Sequence, residues 1–165
     1  MRSSWQIPSP VGWLTLYEEN GYLVRLSFGR KEEADGIYAE SSLMREALAQ
    51  LNAYFAGKLA LFDLPLAPKG TAFQRKCWEA LQQIPYGQTR TYGQQAQMIG
   101  QPTAVRAVGM ANHCNPLPIL IPCHRVIGKN GSLTGYAGGL PVKQLLLELE
   151  AGCGSHYPDA DSVHF

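Results

Sequence analysis

The chain changes its hydrophobic period partway along, and that change limits what it can fold into. In the first stretch the apolar residues recur at every second position: Leu14 and Leu16 alternate with polar neighbours, Asn20-Gly21 intervenes, and Tyr22, Val24, Leu26 and Phe28 fall on one face. An Asn-Gly pair between alternating segments signals a tight hairpin. After the charged loop Arg30 to Asp35 the period becomes helical, with Met44, Leu48, Leu51 and Phe55 behind Ser41 or Ser42 as N-cap and Gly57 at the C-terminal end. Beyond the Pro-rich stretch Leu64 to Pro68, two T-x-x-Q capping boxes open helices, Thr71 to Gln74 and Thr91 to Gln94. The first carries a stripe of Phe73, Cys77, Leu81 and Ile84 and stops at Pro85-Tyr86-Gly87, and the second ends at Gly100. Pro102 and Thr103 then start a helix from about Ala104 to Asn112, with Val105 and Val108 turned inward. These patterns predict an α+β fold: a small α/β N-terminal subdomain over residues 1–66, a mainly helical domain over 67–152 and a tail over 153–165. Trp5, Trp13 and Cys77 are expected in the core.

Composition narrows the class. With 45% hydrophobic and 16% charged residues in 165, the chain is not dominated by disorder. No apolar stretch approaches the roughly 20 residues of a membrane span, and the N-terminus lacks the apolar core of a secretory signal, so a soluble, cytoplasmic protein with no membrane partner is expected. Four cysteines without a C-x-x-C pair predict reduced thiols. Charge is uneven: residues 1–65 hold six Lys and Arg against eight Asp and Glu, whereas residues 66–150 hold eight against three. A basic half suggests a polyanionic partner, and two ordinary solvated surfaces would give the same count.

The two short helices joined by Gly100-Gln101-Pro102-Thr103 resemble a helix-turn-helix. In the second, Arg106 stands among Ala104, Ala107, Gly109 and Ala111. Small side chains allow close approach of the helix backbone, to DNA with a guanidinium reaching between bases or to another helix. In the segment Asn115 to Gly128, Ile119 to Ile121 reads as a short buried strand stopped by Pro122 before Cys123-His124. A cysteine attacks as thiolate, and neighbouring cations or a histidine lower its pKa. Alone, the dipeptide fits an inert buried thiol better than a nucleophile.

The run Pro122-Cys123-His124-Arg125-Val126-Ile127-Gly128, preceded by Asn115 to Ile121 and followed by Gly135 to Gly139, resembles the active-site signature of the O6-alkylguanine-DNA alkyltransferases. The likeness covers residues 5–152, including Phe73 to Arg75, Ile84 to Gly87, Thr91 to Gly93, Val105 to Gly109 and Leu146 to Gly152 in order and spacing. It implies a ribonuclease-H-like N-terminal subdomain packed on a domain with a winged-helix-like DNA reader. It further implies stoichiometric transfer of the alkyl group of O6-alkylguanine, and more weakly of O4-alkylthymine, to Cys123, which is consumed. Minor-groove binding and nucleotide flipping would precede transfer.

By this resemblance His124, bridged through a water to Cys123 and oriented by Glu150, removes the thiol proton. Tyr92 crowds the target phosphate and protonates guanine N3. Asn115 ties the DNA-reading helix to the active-site segment. Arg106 fills the vacated stack, with Thr103, Ala104, Ala107, Gly109 and Arg125 beside it on DNA. Tyr136, the N–H of Ala137, Pro118, Val126 and Lys143 form the alkyl and base pocket. Relatives often carry serine at the position of Ala137, a difference expected to alter the pocket without abolishing transfer. Some relatives bind zinc through N-terminal cysteines and histidines; residues 1–65 contain neither, so no metal and no cofactor are expected. The implied partner is double-stranded DNA containing O6-alkylguanine, bound by a monomer, with cooperativity along the DNA left open. An alkyltransferase-like recognition protein lacks the acceptor cysteine, and a cysteine hydrolase needs an oxyanion hole and a remote histidine.

Overall fold

The computed structural model describes residues 2–31 and 37–152; the tail and part of the charged loop lie outside the described residues. Strands β1 (Arg2–Ile7), β2 (Leu14–Glu19), β3 (Tyr22–Phe28) and β4 (Ile37–Tyr38) form one sheet in the order β3-β2-β1-β4. β1 and β3 run antiparallel to β2, and β4 runs parallel to β1. The predicted hairpin is present, with positive φ at both Asn20 and Gly21, as a turn matched to the twist of its strands requires. Its alternation is broken by a bulge: Tyr17 pairs with Arg25 but Glu18 pairs with Leu23. The extra residue turns Leu23 and Val24 both inward and leaves Tyr22 48% exposed, which corrects the expected single face. Helix α1 (Ser42–Phe55) is capped by Ser41, whose side chain accepts from Met44 N, and buries Met44, Ala47, Leu51, Tyr54 and Phe55. Trp5 is only partly buried and stacks on Tyr38, while Trp13 is 41% exposed beneath the Arg30 guanidinium. Neither tryptophan is the core residue expected.

Both capping boxes close as predicted, at the starts of α2 (Ala72–Gln82) and α3 (Tyr92–Met98). Helix α4 (Val105–His113) follows, and α5 (Leu140–Glu150) ends the described chain. Val108 is fully buried, but Val105, the first residue of α4, is 41% exposed, contrary to expectation. Buried amides fix α4 in place: Gln95 Nε2 donates to Asn112 Oδ1 at 2.9 Å, and Asn112 Nδ2 donates to Gln95 Oε1 at 2.7 Å. From α2, Trp78 Nε1 donates to Ala111 O at 2.8 Å.

Two parallel strands, β5 (Arg90–Thr91) and β6 (Val126–Ile127), pair next to each other and bring the start of α3 beside the segment that follows Cys123. One hydrophobic cluster runs through both halves, from Leu26 and Phe55 to Trp78 and Ile121. Main-chain bonds cross between them as well: Leu26 N donates to Pro116 O at 2.8 Å.

Trp78→Phe removes the indole N–H that donates to the Ala111 carbonyl and puts a smaller ring in a fully buried position. A loss of about 1–3 kcal/mol is expected, read as a lower urea midpoint with an unchanged slope.

Candidate active site

The expected strand at Ile119 to Ile121 is instead a compact turn. Ile121 N donates back to Leu117 O at 2.8 Å, and Ile119 has φ of 73°, a left-handed conformation that β-branched residues avoid. Apolar composition predicted the burial correctly, since Leu117, Ile119, Leu120 and Ile121 are all buried, but not the conformation. Asn115 supports the turn from inside: its Nδ2 donates to Ile121 O at 2.8 Å and its Oδ1 accepts from Leu117 N at 2.9 Å. Surrounding packing holds such strain, and here it delivers Cys123 to the end of the turn.

A 3-10 turn, Cys123–Arg125, sends three successive side chains to three tasks. Cys123 lines a cavity of about 130 Å³ together with Tyr92, Gly109, Asn112, Asn115, Pro118, Tyr136 and Ala137. His124 is wholly buried, with Nε2 2.6 Å from Glu150 Oε2. Its Nδ1 is buried with no hydrogen-bond partner in the protein. A carboxylate can only accept, so Nε2 carries the hydrogen and Nδ1 presents a lone pair. Arg125 also turns inward: Nε donates to Glu150 Oε1 at 2.7 Å, one terminal nitrogen to Glu150 Oε2 at 3.1 Å and the other to Ile84 O at 2.7 Å. The expectation that Arg125 lies on DNA is therefore corrected, because its guanidinium is buried and spent on Glu150 and Ile84.

Burial alone would raise the Glu150 carboxyl, but the hydrogen bonds of His124 and Arg125, the Arg125 charge and, in acid, the charge of a protonated His124 outweigh it and hold the group at about 2. Burial also keeps His124 neutral, pushing its pKa down against the pull of Glu150. Cys123 departs from the sequence expectation. Burial raises the thiol, and the opposing effects of Asn115 and Lys143 are smaller. The neighbouring cation read from sequence, Arg125, does not face the sulfur. The resting cysteine is a protonated thiol that needs a base.

The remaining predicted residues fall into two places. Thr103, Arg106 and Ala107 are exposed on and before α4, and Ala104 and Gly109 are half-buried. Tyr92, Pro118, Tyr136 and Ala137 line the cavity with Cys123. Tyr136 has a buried hydroxyl without a protein partner, and its ring stands edge-on to that of His124. Val126 and Lys143 sit behind the cavity wall: Lys143 is buried at 1% exposure and donates to Val126 O at 2.8 Å and Thr134 O at 3.3 Å. Sequence reasoning missed Thr134, hydrogen-bonded to the Tyr92 hydroxyl, and Tyr54, whose hydroxyl donates to Glu150 Oε2 at 2.5 Å. The Pro85-Tyr86-Gly87 stop also acquires a role. Tyr86 lies against the Arg125 guanidinium, and Gly87, with φ of 81°, approaches Glu150 so closely that a Cβ would come within 3.0 Å of its carbonyl oxygen. Among the described residues no cluster of His, Cys, Asp or Glu could hold a metal ion, and no helix is long and apolar enough to cross a membrane.

Family models of 6-O-methylguanine DNA methyltransferase match almost the whole described chain, the ribonuclease-like domain over residues 6–68 and the DNA-binding domain over 72–152. The chain belongs to the O6-alkylguanine-DNA alkyltransferase family. It is 52% identical over 149 residues to a methylated-DNA–protein-cysteine methyltransferase of Methanosarcina acetivorans, covering 88% of this chain and 96% of that one. The constitutive enzyme of the same description from Bacillus subtilis is 47% identical over 150 residues, covering 86% and 91%. Among solved structures, Mycobacterium tuberculosis OGT in complex with DNA superposes with a TM-score of 0.85 at 47% identity, covering 91% of this chain and 93% of that one.

Acid stability follows from the carboxylate. Glu150 in the folded state sits near 2 against an ordinary 4.5. A folded pKa below the unfolded one means that the unfolded chain takes up the proton first, so stability is lost as pH falls. His124, also depressed, works in the same direction from higher pH. The urea midpoint should fall as pH drops from 4.5 towards 2, with Glu150 contributing on the order of 3 kcal/mol. A midpoint that stays flat through that window would contradict the assignment.

Proposed function

We propose that this protein repairs DNA by accepting the alkyl group of O6-alkylguanine on Cys123, once per molecule. The observation that carries this reading is the polar chain behind the sulfur: a protonated thiol in a cavity, a neutral His124 with its Nδ1 lone pair unclaimed, and a buried carboxylate fixing Nε2. His124 Nδ1 takes the thiol proton through a water. The sulfur then attacks the alkyl carbon in line, the S–C bond forming as the O6–C bond breaks, and the bonding pair stays with the base. Guanine takes up one proton in exchange for the one lost by the thiol, with the Tyr92 hydroxyl as donor to N3. The product is a thioether, which has no acyl carbon for water to attack, so Cys123 is not regenerated and no cofactor is required.

DNA is the partner, and α4 is the element for its minor groove. Arg106 fills the stack left by the flipped nucleotide, a displacement that costs a few kcal/mol and that something must hold open. Thr103, Ala104, Ala107 and Gly109 let the helix approach the backbone. Tyr136, Pro118 and the N–H of Ala137 receive the base and its alkyl group, with Val126 and Lys143 supporting the wall. Asn115 couples α4 to the turn that carries Cys123. The protein acts as a monomer on O6-alkylguanine, with O4-alkylthymine a weaker substrate.

The decisive experiment is the intact mass of the protein after incubation with duplex DNA containing one O6-methylguanine. The expected result is a gain of one methyl in place of one hydrogen in the wild type and no gain in Cys123→Ser. Tight lesion binding with no gain in mass would mark a recognition protein with an idle thiol. For the DNA-facing helix, Arg106→Ala should slow transfer from duplex DNA by about 10-fold or more while leaving transfer from free O6-benzylguanine unchanged, since only the duplex substrate must be flipped. Equal losses on both substrates would contradict that role. Alkylation adds volume to a packed site clamped by Asn115. The methylated protein should therefore melt lower, by about 1–3 kcal/mol of stability, and an unchanged melting temperature would count against that packing.

A further inference from the structure

Glu150 carries a hydrogen bond that the transfer mechanism above does not use. Tyr54 lies on α1, in the ribonuclease-like half of the chain, and Glu150 ends α5, yet the Tyr54 hydroxyl donates to Glu150 Oε2 at 2.5 Å in a buried contact. The same oxygen accepts from His124 Nε2. We propose that Tyr54 is a positioning residue for alkyl transfer, through which the ribonuclease-like domain holds the carboxylate that orients His124. This rests on the function proposed above for Cys123 and His124.

The surroundings of Tyr54 keep its hydroxyl in place. Its ring meets Phe55 edge-on at 5.4 Å between centroids, Phe62 at 5.2 Å and Tyr86 edge-on at 6.3 Å. Three aromatic rings therefore hold in place the phenol whose hydroxyl donates to Glu150. Burial, and then the charge of Glu150, hold the Tyr54 hydroxyl well above its ordinary pKa, so it remains a donor wherever the protein is folded. A buried Tyr on an apolar helix face usually finds such a partner; the one found here belongs to the reactive site.

Three donors reach this carboxylate oxygen and compete for its charge: the Tyr54 hydroxyl, His124 Nε2 and a terminal nitrogen of Arg125. The Tyr54 O–H draws density from Oε2, which weakens that oxygen's hold on a second proton at His124 and favours the neutral imidazole that serves as base. Among the described residues, several other groups act on His124 and Glu150. Arg125 pairs with Glu150 from the 3-10 turn, Lys143 acts from α5, Tyr86 from the loop after α2, and Tyr136 and Cys123 from the cavity. All of these lie in the second half of the chain, and Tyr54, among the described residues, joins them from the first.

Tyr54→Phe removes the hydroxyl and keeps the ring. The experiment is the single-turnover rate of methyl transfer from duplex DNA as a function of pH, with the His124 ring titration followed by NMR on the same variant and DNA affinity measured in a Cys123→Ser background. With the donor gone, Glu150 holds the His124 proton more tightly, so the acid limb of the rate profile and the His124 titration should both move to higher pH. The rate on the acid side should fall by about 10-fold while DNA affinity stays unchanged. Phe62→Leu loosens the same aromatic packing with the hydroxyl intact and should leave the limb in place. A uniform loss of rate with an unmoved limb in Tyr54→Phe, or an equal shift in Phe62→Leu, would overturn the proposal. If the wild type transferred no methyl group, the function proposed above would fail, whereas the role of Tyr54 would still be decided by whether the His124 titration moves.

Discussion

Nearly everything about this site depends on one buried carboxylate. Glu150 is 1% exposed at its side chain, and its two oxygens accept from His124, from two nitrogens of Arg125 and from Tyr54. An anion removed from water to that degree is tolerated only where donors replace its hydration, and losing one partner leaves the rest with an uncompensated charge. Each donor comes with a structural consequence. His124 is held in one tautomer. Arg125 is drawn inward, which bends the chain after Cys123 into a 3-10 turn and carries its far nitrogen to Ile84. Tyr54 brings in the first half of the chain, so the two halves share a reactive centre as well as a core.

The thiol is built in the opposite sense. Where the carboxylate is kept charged, Cys123 is kept neutral, buried at 8% exposure and raised in pKa. A protonated, shielded thiol resists oxidation and stray electrophiles. That suits the single use proposed for it. The proposed transfer then depends on a base that is present but unengaged, and His124 Nδ1, without a protein partner, fits that description. The strained turn at Ile119, clamped by Asn115, is what allows sulfur and imidazole to occupy adjoining positions in sequence yet face different surroundings.

Much of this was legible before any coordinates. The hairpin at Asn20-Gly21, the Ser41 cap, both capping boxes and the paired helices α3 and α4 follow from local rules of turn and cap chemistry, which act over a few residues. Local rules failed where tertiary packing took over. The bulge that exposes Tyr22 depends on the register of β2 against β3, and the turn at Ile119 depends on Asn115 reaching across it. Charge was the least legible property. Arg125 looks in sequence like a cation beside a nucleophile and like a phosphate contact, and only its partners show that it is neither. Glu150 looks like a solvated helix end, and its 96-residue separation from Tyr54 hides the contact that matters.

The central claim is that Glu150 fixes His124 as a neutral base with Nε2 protonated and Nδ1 free. Nitrogen-15 shifts of the His124 ring in the resting protein test it directly. A protonated Nε2 and an unprotonated, pyridine-like Nδ1 at neutral pH are the predicted result. An imidazolium, or the tautomer with the hydrogen on Nδ1, would contradict it, because neither has a lone pair on Nδ1 with which to take the proton of Cys123.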